Sequence, residues 1–116
     1  MSDVFFTQAA RAINLLQEEV YNCAADHGWW DDKNPNDGEK IALMHSELSE
    51  ALEGLRHGNP PDDKIAQYSS AEAELADVII RILDYAQHKG WNLGDAVVAK
   101  HKFNLTRPYK HGGKAF

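Results

Sequence analysis

The sequence predicts an all-α protein, and three observations carry that prediction. Apolar residues recur at helical spacing in four separate stretches. Each stretch is preceded by a polar start signal: Ser2 or Asp3, Asn36 with Glu39, Ser69 with Glu72, and Asn92. These are the residue types and spacings that satisfy the orphan N–H groups of a helix's first turn. No segment of useful length alternates apolar and polar residues as a half-buried strand does. Four helices in a chain of 116 residues suit one domain, residues 1–116, built as a four-helix bundle.

The first helix is expected from Ser2 or Asp3 to about Asp26, with Phe5, Ala9, Ala12, Ile13, Leu16, Val20, Cys23 and Ala24 as its buried stripe. Cys23 is the only cysteine, so an intrachain disulfide is excluded. Its place on the stripe reads as a small buried apolar side chain rather than a reactive thiol. Gly28 is placed to end the helix. Residues 29–38 have loop composition and open with Trp29-Trp30. Each ring either plugs the end of the core or stacks on a nucleobase.

The second helix runs from Asn36 or Asp37 to about His57, where Gly58-Asn59-Pro60-Pro61 stops it. Ile41, Met44, Leu48, Ala51, Leu52 and Leu55 form its apolar stripe. Glu47 and Glu50 project from another side, beside Leu43 and Gly54. The connection onward to about Tyr68 is longer than most helix–helix links; it is expected to be mobile and to bear on access to a site.

Helix three starts at the Ser69–Glu72 capping box, and its stretch from Ala73 to Leu83 is apolar around most of the circumference, which predicts burial on more than one side. Glu74 and Asp77 nevertheless lie in it, with Arg81 one turn further along. Taken alone, Asp77 and Arg81 have the i,i+4 spacing of an ion pair. A second acidic pair facing Glu47 and Glu50 favours a metal instead, because buried carboxylates need partners. His88-Lys89-Gly90 closes this helix. A fourth helix follows Asn92 and ends at Arg107-Pro108, with Lys100, Asn104 and Arg107 on one face. The tail, residues 109–116, has loop composition and could fold back over a site.

Composition narrows the function classes. At 43% hydrophobic and 26% charged the chain reads as globular and soluble. No apolar run approaches the ~20 residues of a membrane span, and residues 1–6 lack the basic and apolar regions of a signal peptide. A cytoplasmic setting is the expectation. The net charge of −6 is unevenly spread. Residues 1–96 hold all 18 acids against seven Lys/Arg, a balance of −11, and residues 97–116 hold five Lys/Arg and no acid, a balance of +5. That end is either a solvated basic tail or a clamp which, with an acidic metal-binding body, suits a polyphosphate. Nucleic-acid binding is disfavoured, because five charges stand against −11.

Glu47, Glu50, Glu74 and Asp77 are all oxygen donors, a set suited to hard cations such as Mg²⁺ or Mn²⁺. A di-iron bundle would need Glu-x-x-His, which neither pair supplies. No Gly-x-x-x-x-Gly-Lys loop is present, so a P-loop is excluded. On ideal geometry Glu53 lies about 60° round the helix from Glu50, off the line of the first pair.

The stretches Ser-Glu-Leu-Ser-Glu-Ala-Leu-Glu, 46–53, and Glu-Leu-Ala-Asp-Val-Ile-Ile-Arg-Ile-Leu-Asp, 74–84, resemble the paired Glu-x-x-Glu and Glu-x-x-Asp signature of the MazG-like nucleoside triphosphate pyrophosphohydrolases. The 23 residues between Glu50 and Glu74 suit two antiparallel helices. Gly28-Trp29-Trp30-Asp31 resembles the loop before that family's metal helix, and Lys100, Asn104 and Arg107 to Gly112 resemble its C-terminal phosphate-contacting element. The resemblance implies a Mg²⁺-dependent enzyme, Mn²⁺ being a possible substitute, that cuts a nucleoside triphosphate between its α and β phosphates. It implies Glu47, Glu50, Glu74 and Asp77 as metal ligands, and Lys100, Asn104 and Arg107 as phosphate or sugar contacts; in such a mechanism Lys110 would also offset charge on the leaving pyrophosphate, and Trp29 or Trp30 would hold the base. It also implies a homodimer or homotetramer. Ser46 departs from the family, in which many members carry a further Glu, and this leaves Glu50 or Glu53 as the general base. The rivals are an all-α dUTPase or dCTPase, a phosphoribosyl-ATP pyrophosphohydrolase, and, from another class, a non-catalytic helical interaction module.

Overall fold

Each long helix begins at the residue whose side chain can cap it. The computed structural model describes residues 2–116, with helices α1 (Asp3–Asp26), α2 (Asp37–Arg56), α3 (Ser70–Lys89) and α4 (Leu93–Leu105), then a single turn at Lys110–Gly113. The protein is all-α. Ser2 accepts from Phe5 N–H, Asn36 from Glu39 N–H, and Asn92 from Asp95 N–H. Ser69 and Glu72 form the reciprocal box: the serine hydroxyl accepts from Glu72 N–H while the Glu72 carboxylate accepts from Ser69 N–H. At the other end of α1, Gly28 takes a left-handed φ of 87°, which lets Trp29 N–H donate back to the Ala24 carbonyl at 3.0 Å.

The helices pack in pairs, α2 on α3, α3 on α1, and α1 on α4. The α2–α3 hairpin is tied at both ends. Tyr85 and Lys89, late in α3, donate to Asp37 at the start of α2, at 3.0 and 3.3 Å. Near the loop end, Asn59 Oδ1 accepts from Ala71 N–H at 2.8 Å. The 58–69 connection, expected to be mobile, is stitched closed by a Pro61–Ser69 bridge, Asp62 N–H to the Tyr68 carbonyl, and Ser70 N–H to the Pro60 carbonyl. The α1–α4 contact depends on Gly94, where a Cβ would run into the Ala10 carbonyl and the Asn14 side chain. Asn14 Oδ1 instead accepts from Gly94 N–H at 2.8 Å.

The buried faces differ from the expected stripes. On α1, Phe6, Ala10 and Gln17 are buried, whereas Phe5, Ala12, Leu16 and Cys23 are exposed. Cys23 is therefore not a core residue. On α2 only Ala51 of the six-residue stripe is buried; Ile41, Leu48, Leu52 and Leu55 are exposed, and the side turned to α3 carries Glu47. Periodicity marks a face as apolar without saying what covers it. The radius of gyration, 16.7 Å, also exceeds the about 13 Å of a compact domain of this length.

Candidate functional site

The α2–α3 seam brings three of the four expected ligands together. Gly54 of α2 lies against Ser70, and Ala51, Ala71 and Ala73 are buried, so small residues let the two helices approach closely. Glu47 is enclosed as a result, only 8% exposed. Carboxylate oxygens of Glu47, Glu50 and Glu74 all lie within 4.8 Å of one another. Asp77 stands outside that convergence.

Such crowding has an electrostatic cost. Glu74 is pushed up to about 8, first by the hydrogen bond its protonated carboxyl donates to Glu47, then by burial and by Glu50. Burial would also raise Glu47, but the hydrogen bonds from Glu74 and Arg81 outweigh it and hold Glu47 below the ordinary glutamate value. Asp77 is raised, by burial first and then by the charge on Glu47. A proton on Glu74 and the guanidinium of Arg81 are thus the positive charges that relieve the cluster.

Arg81 is the residue whose partner sequence reasoning missed. Its Nε donates to Glu47 Oε1 at 3.0 Å, across the seam, in place of the Asp77 pairing suggested by i,i+4 spacing. No local pattern could reveal a contact between residues 34 apart.

Glu53 points elsewhere. It is exposed and engages Arg56 at 3.7 Å and His57 at 3.3 Å, outside the convergent carboxylates. Trp30 plugs the end of the hairpin. It donates from Nε1 to Asp84 at 2.7 Å, stacks on His88 with centroids 3.8 Å apart, and has Lys40 Nζ at 4.3 Å from its centre. His88 and Lys40 thus already occupy space against the Trp30 ring, which is half-buried. Asp84 beneath it is raised by burial, against the hydrogen bond from Trp30. Trp29, 72% exposed, carries the open ring.

The basic residues lie on another part of the fold. Lys100 and Arg107 flank Phe103, at 5.3 and 5.8 Å from its ring centre, on and just beyond a helix packed against α1. Asn104 is on the same helix and exposed, and Lys110 lies by Tyr109 in the tail. Among the described residues, none of these four hydrogen-bonds or ion-pairs with the carboxylate cluster. An open cleft of about 530 Å³ between α1 and α4, lined by Phe6, Ala10, Arg11, Val98 and Lys102 among others, contains none of the carboxylates.

Three carboxylates at this spacing can hold a hard divalent cation. Octahedral coordination at 2.0–2.1 Å spaces ligand oxygens about 3 to 4 Å apart, and the three carboxylates lie within 4.8 Å of one another. No family model matches the chain, and neither a curated protein nor a solved structure does. Among the described residues, no helix is long and apolar enough to cross a membrane.

Proposed function

We propose that this protein is a Mg²⁺-dependent nucleoside triphosphate pyrophosphohydrolase of the MazG-like kind, Mn²⁺ being a substitute. The observation that carries the reading is the meeting of Glu47, Glu50 and Glu74 across α2 and α3, in the Glu-x-x-Glu and Glu-x-x-Asp order that the sequence shares with that family. Asp77, three residues further along α3, would be the fourth ligand. A bound divalent cation supplies charge neutralisation for the phosphates and acidifies a water. Glu50 is exposed and lies within the carboxylate convergence, whereas Glu53 is outside it and engaged by Arg56 and His57, so Glu50 is better placed to orient that water as general base. The products would be the nucleoside monophosphate and pyrophosphate. A dUTPase, dCTPase or phosphoribosyl-ATP pyrophosphohydrolase would share this chemistry and differ in the base pocket, where Trp29 offers the free ring.

Two features support a homo-oligomer, dimer or tetramer. Apolar stripes on α1 and α2 are uncovered in one chain, and Lys100, Asn104, Arg107 and Lys110 stand apart from the carboxylates. A second chain would complete a bundle and could bring its basic helix to the site. The same stripes favour a second reading, a non-catalytic helical interaction module.

Phosphate detection across the deoxy- and ribonucleotides separates the readings. With Mg²⁺, orthophosphate is expected only after inorganic pyrophosphatase is added, and Glu50→Gln is expected to lower turnover at least about a hundredfold. Orthophosphate without the second enzyme would mean γ-phosphate cleavage. No turnover with Mg²⁺ or Mn²⁺, together with unchanged metal affinity in Glu50→Gln, would leave the interaction module.

A further inference from the structure

Among the described residues, Arg81 is the one Lys or Arg that hydrogen-bonds into the carboxylate cluster. A guanidinium carries five N–H donors in a rigid plane. Only Nε is engaged, by Glu47, and the side chain remains 42% exposed. Its two terminal nitrogens, which carry four N–H donors, have no hydrogen-bond partner among the described residues. We propose that these nitrogens are the anion contact of the site, receiving a non-bridging phosphoryl oxygen of the polyphosphate beside the carboxylates. The proposal rests on the reading of the site as one that cleaves polyphosphates.

The arrangement suits the task in three ways. Glu47 is nearly buried and grips Nε, so the guanidinium plane is held before any ligand arrives. Arginine presents its donors as a fork matched to two phosphoryl oxygens, a geometry lysine lacks. Among the described residues, the basic residues of α4 and the tail make no hydrogen bond or ion pair with this cluster, so the cluster's own cation is Arg81. With three acids beside it, the guanidinium can meet an anion only when a divalent cation neutralises them. Anion binding should therefore require the metal.

Calorimetry with inorganic tripolyphosphate isolates this contact from any base or sugar preference. Wild-type protein is expected to bind tripolyphosphate in Mg²⁺ and not in EDTA. Arg81→Gln should weaken that binding about tenfold or more and leave Mn²⁺ affinity, measured without tripolyphosphate, unchanged or tighter. Arg81→Lys should fall between them, and it carries the test should Arg81→Gln fail to fold. Unaltered tripolyphosphate affinity in these variants overturns the proposal. So does an equal loss of Mn²⁺ and tripolyphosphate, which would make Arg81 only a support for Glu47. A wild-type protein that binds Mn²⁺ but neither tripolyphosphate nor any nucleotide would instead defeat the polyphosphate reading itself.

Discussion

Glu74 titrates in a range where the protein can be studied, and the direction of its effect follows from its neighbours. Its folded-state value of about 8 lies above the 4.5 of an ordinary glutamate, because the proton it shares with Glu47 relieves repulsion. The folded state therefore holds a proton that the unfolded state gives up. Stability is full below about pH 4.5 and is lost as pH rises towards 8. Solvent screening leaves roughly 1 kcal/mol of this, or about 4 °C in melting temperature. In EDTA, wild-type protein should melt lower at pH 8.5 than at pH 5.5, and Glu74→Gln should flatten that slope. An equal slope in the variant would show that another group titrates. The sequence made these acids legible as a pair of pairs. It could not reveal that Asp77 stands outside the closest group or that Arg81 leans to Glu47, since both depend on how two helices meet.

At the scale of elements, the starts of helices were readable and their buried faces were not. Ser2, Asn36, Ser69 and Asn92 act through bonds within their own first turn, so sequence spacing is enough to place them. Ser69→Ala removes the box at α3 and should cost about 1 kcal/mol in urea unfolding. The stripe of Ile41, Leu48, Leu52 and Leu55 was equally visible, but a helix keeps the same pattern whether its own chain or another covers it. Gly94 was hidden for a related reason: its constraint comes from Ala10 and Asn14, some 80 residues earlier. Gly94→Ala should push α4 off α1 and destabilise by about 1–3 kcal/mol. Early amide exchange along α4, with α3 still protected, would place that loss where expected; uniform exchange would not.

For the whole molecule, the proposed homo-oligomer is weighed by the apolar surface one chain leaves exposed. Fully burying a leucine or isoleucine contributes about 1.5–3 kcal/mol. The four residues of the α2 stripe, roughly half exposed, therefore leave about 4 kcal/mol unrealised. Association costs an estimated 4–15 kcal/mol, so this stripe alone is a marginal interface. Phe5 and Leu16 on α1 and Leu75 and Ile79 on α3 add comparable exposure, so an interface using more than one helix reaches about 8 kcal/mol per chain, above the lower end of that cost. Light scattering behind size exclusion should give at least twice the 13.0 kDa chain mass at micromolar concentration. The double variant Leu48→Glu/Leu52→Glu places two charges in the stripe and should yield a monomer or an unfolded chain. If the pair of charges leaves both mass and helicity untouched, α2 faces water and the oligomer, if formed, uses another surface. The outcome also bears on the basic helix. Lys100 and Arg107 can serve the carboxylates of a neighbouring chain only if such a neighbour is present, so nucleotide turnover should fall with the oligomer while Mn²⁺ binding at Glu47, Glu50 and Glu74 persists in any folded monomer.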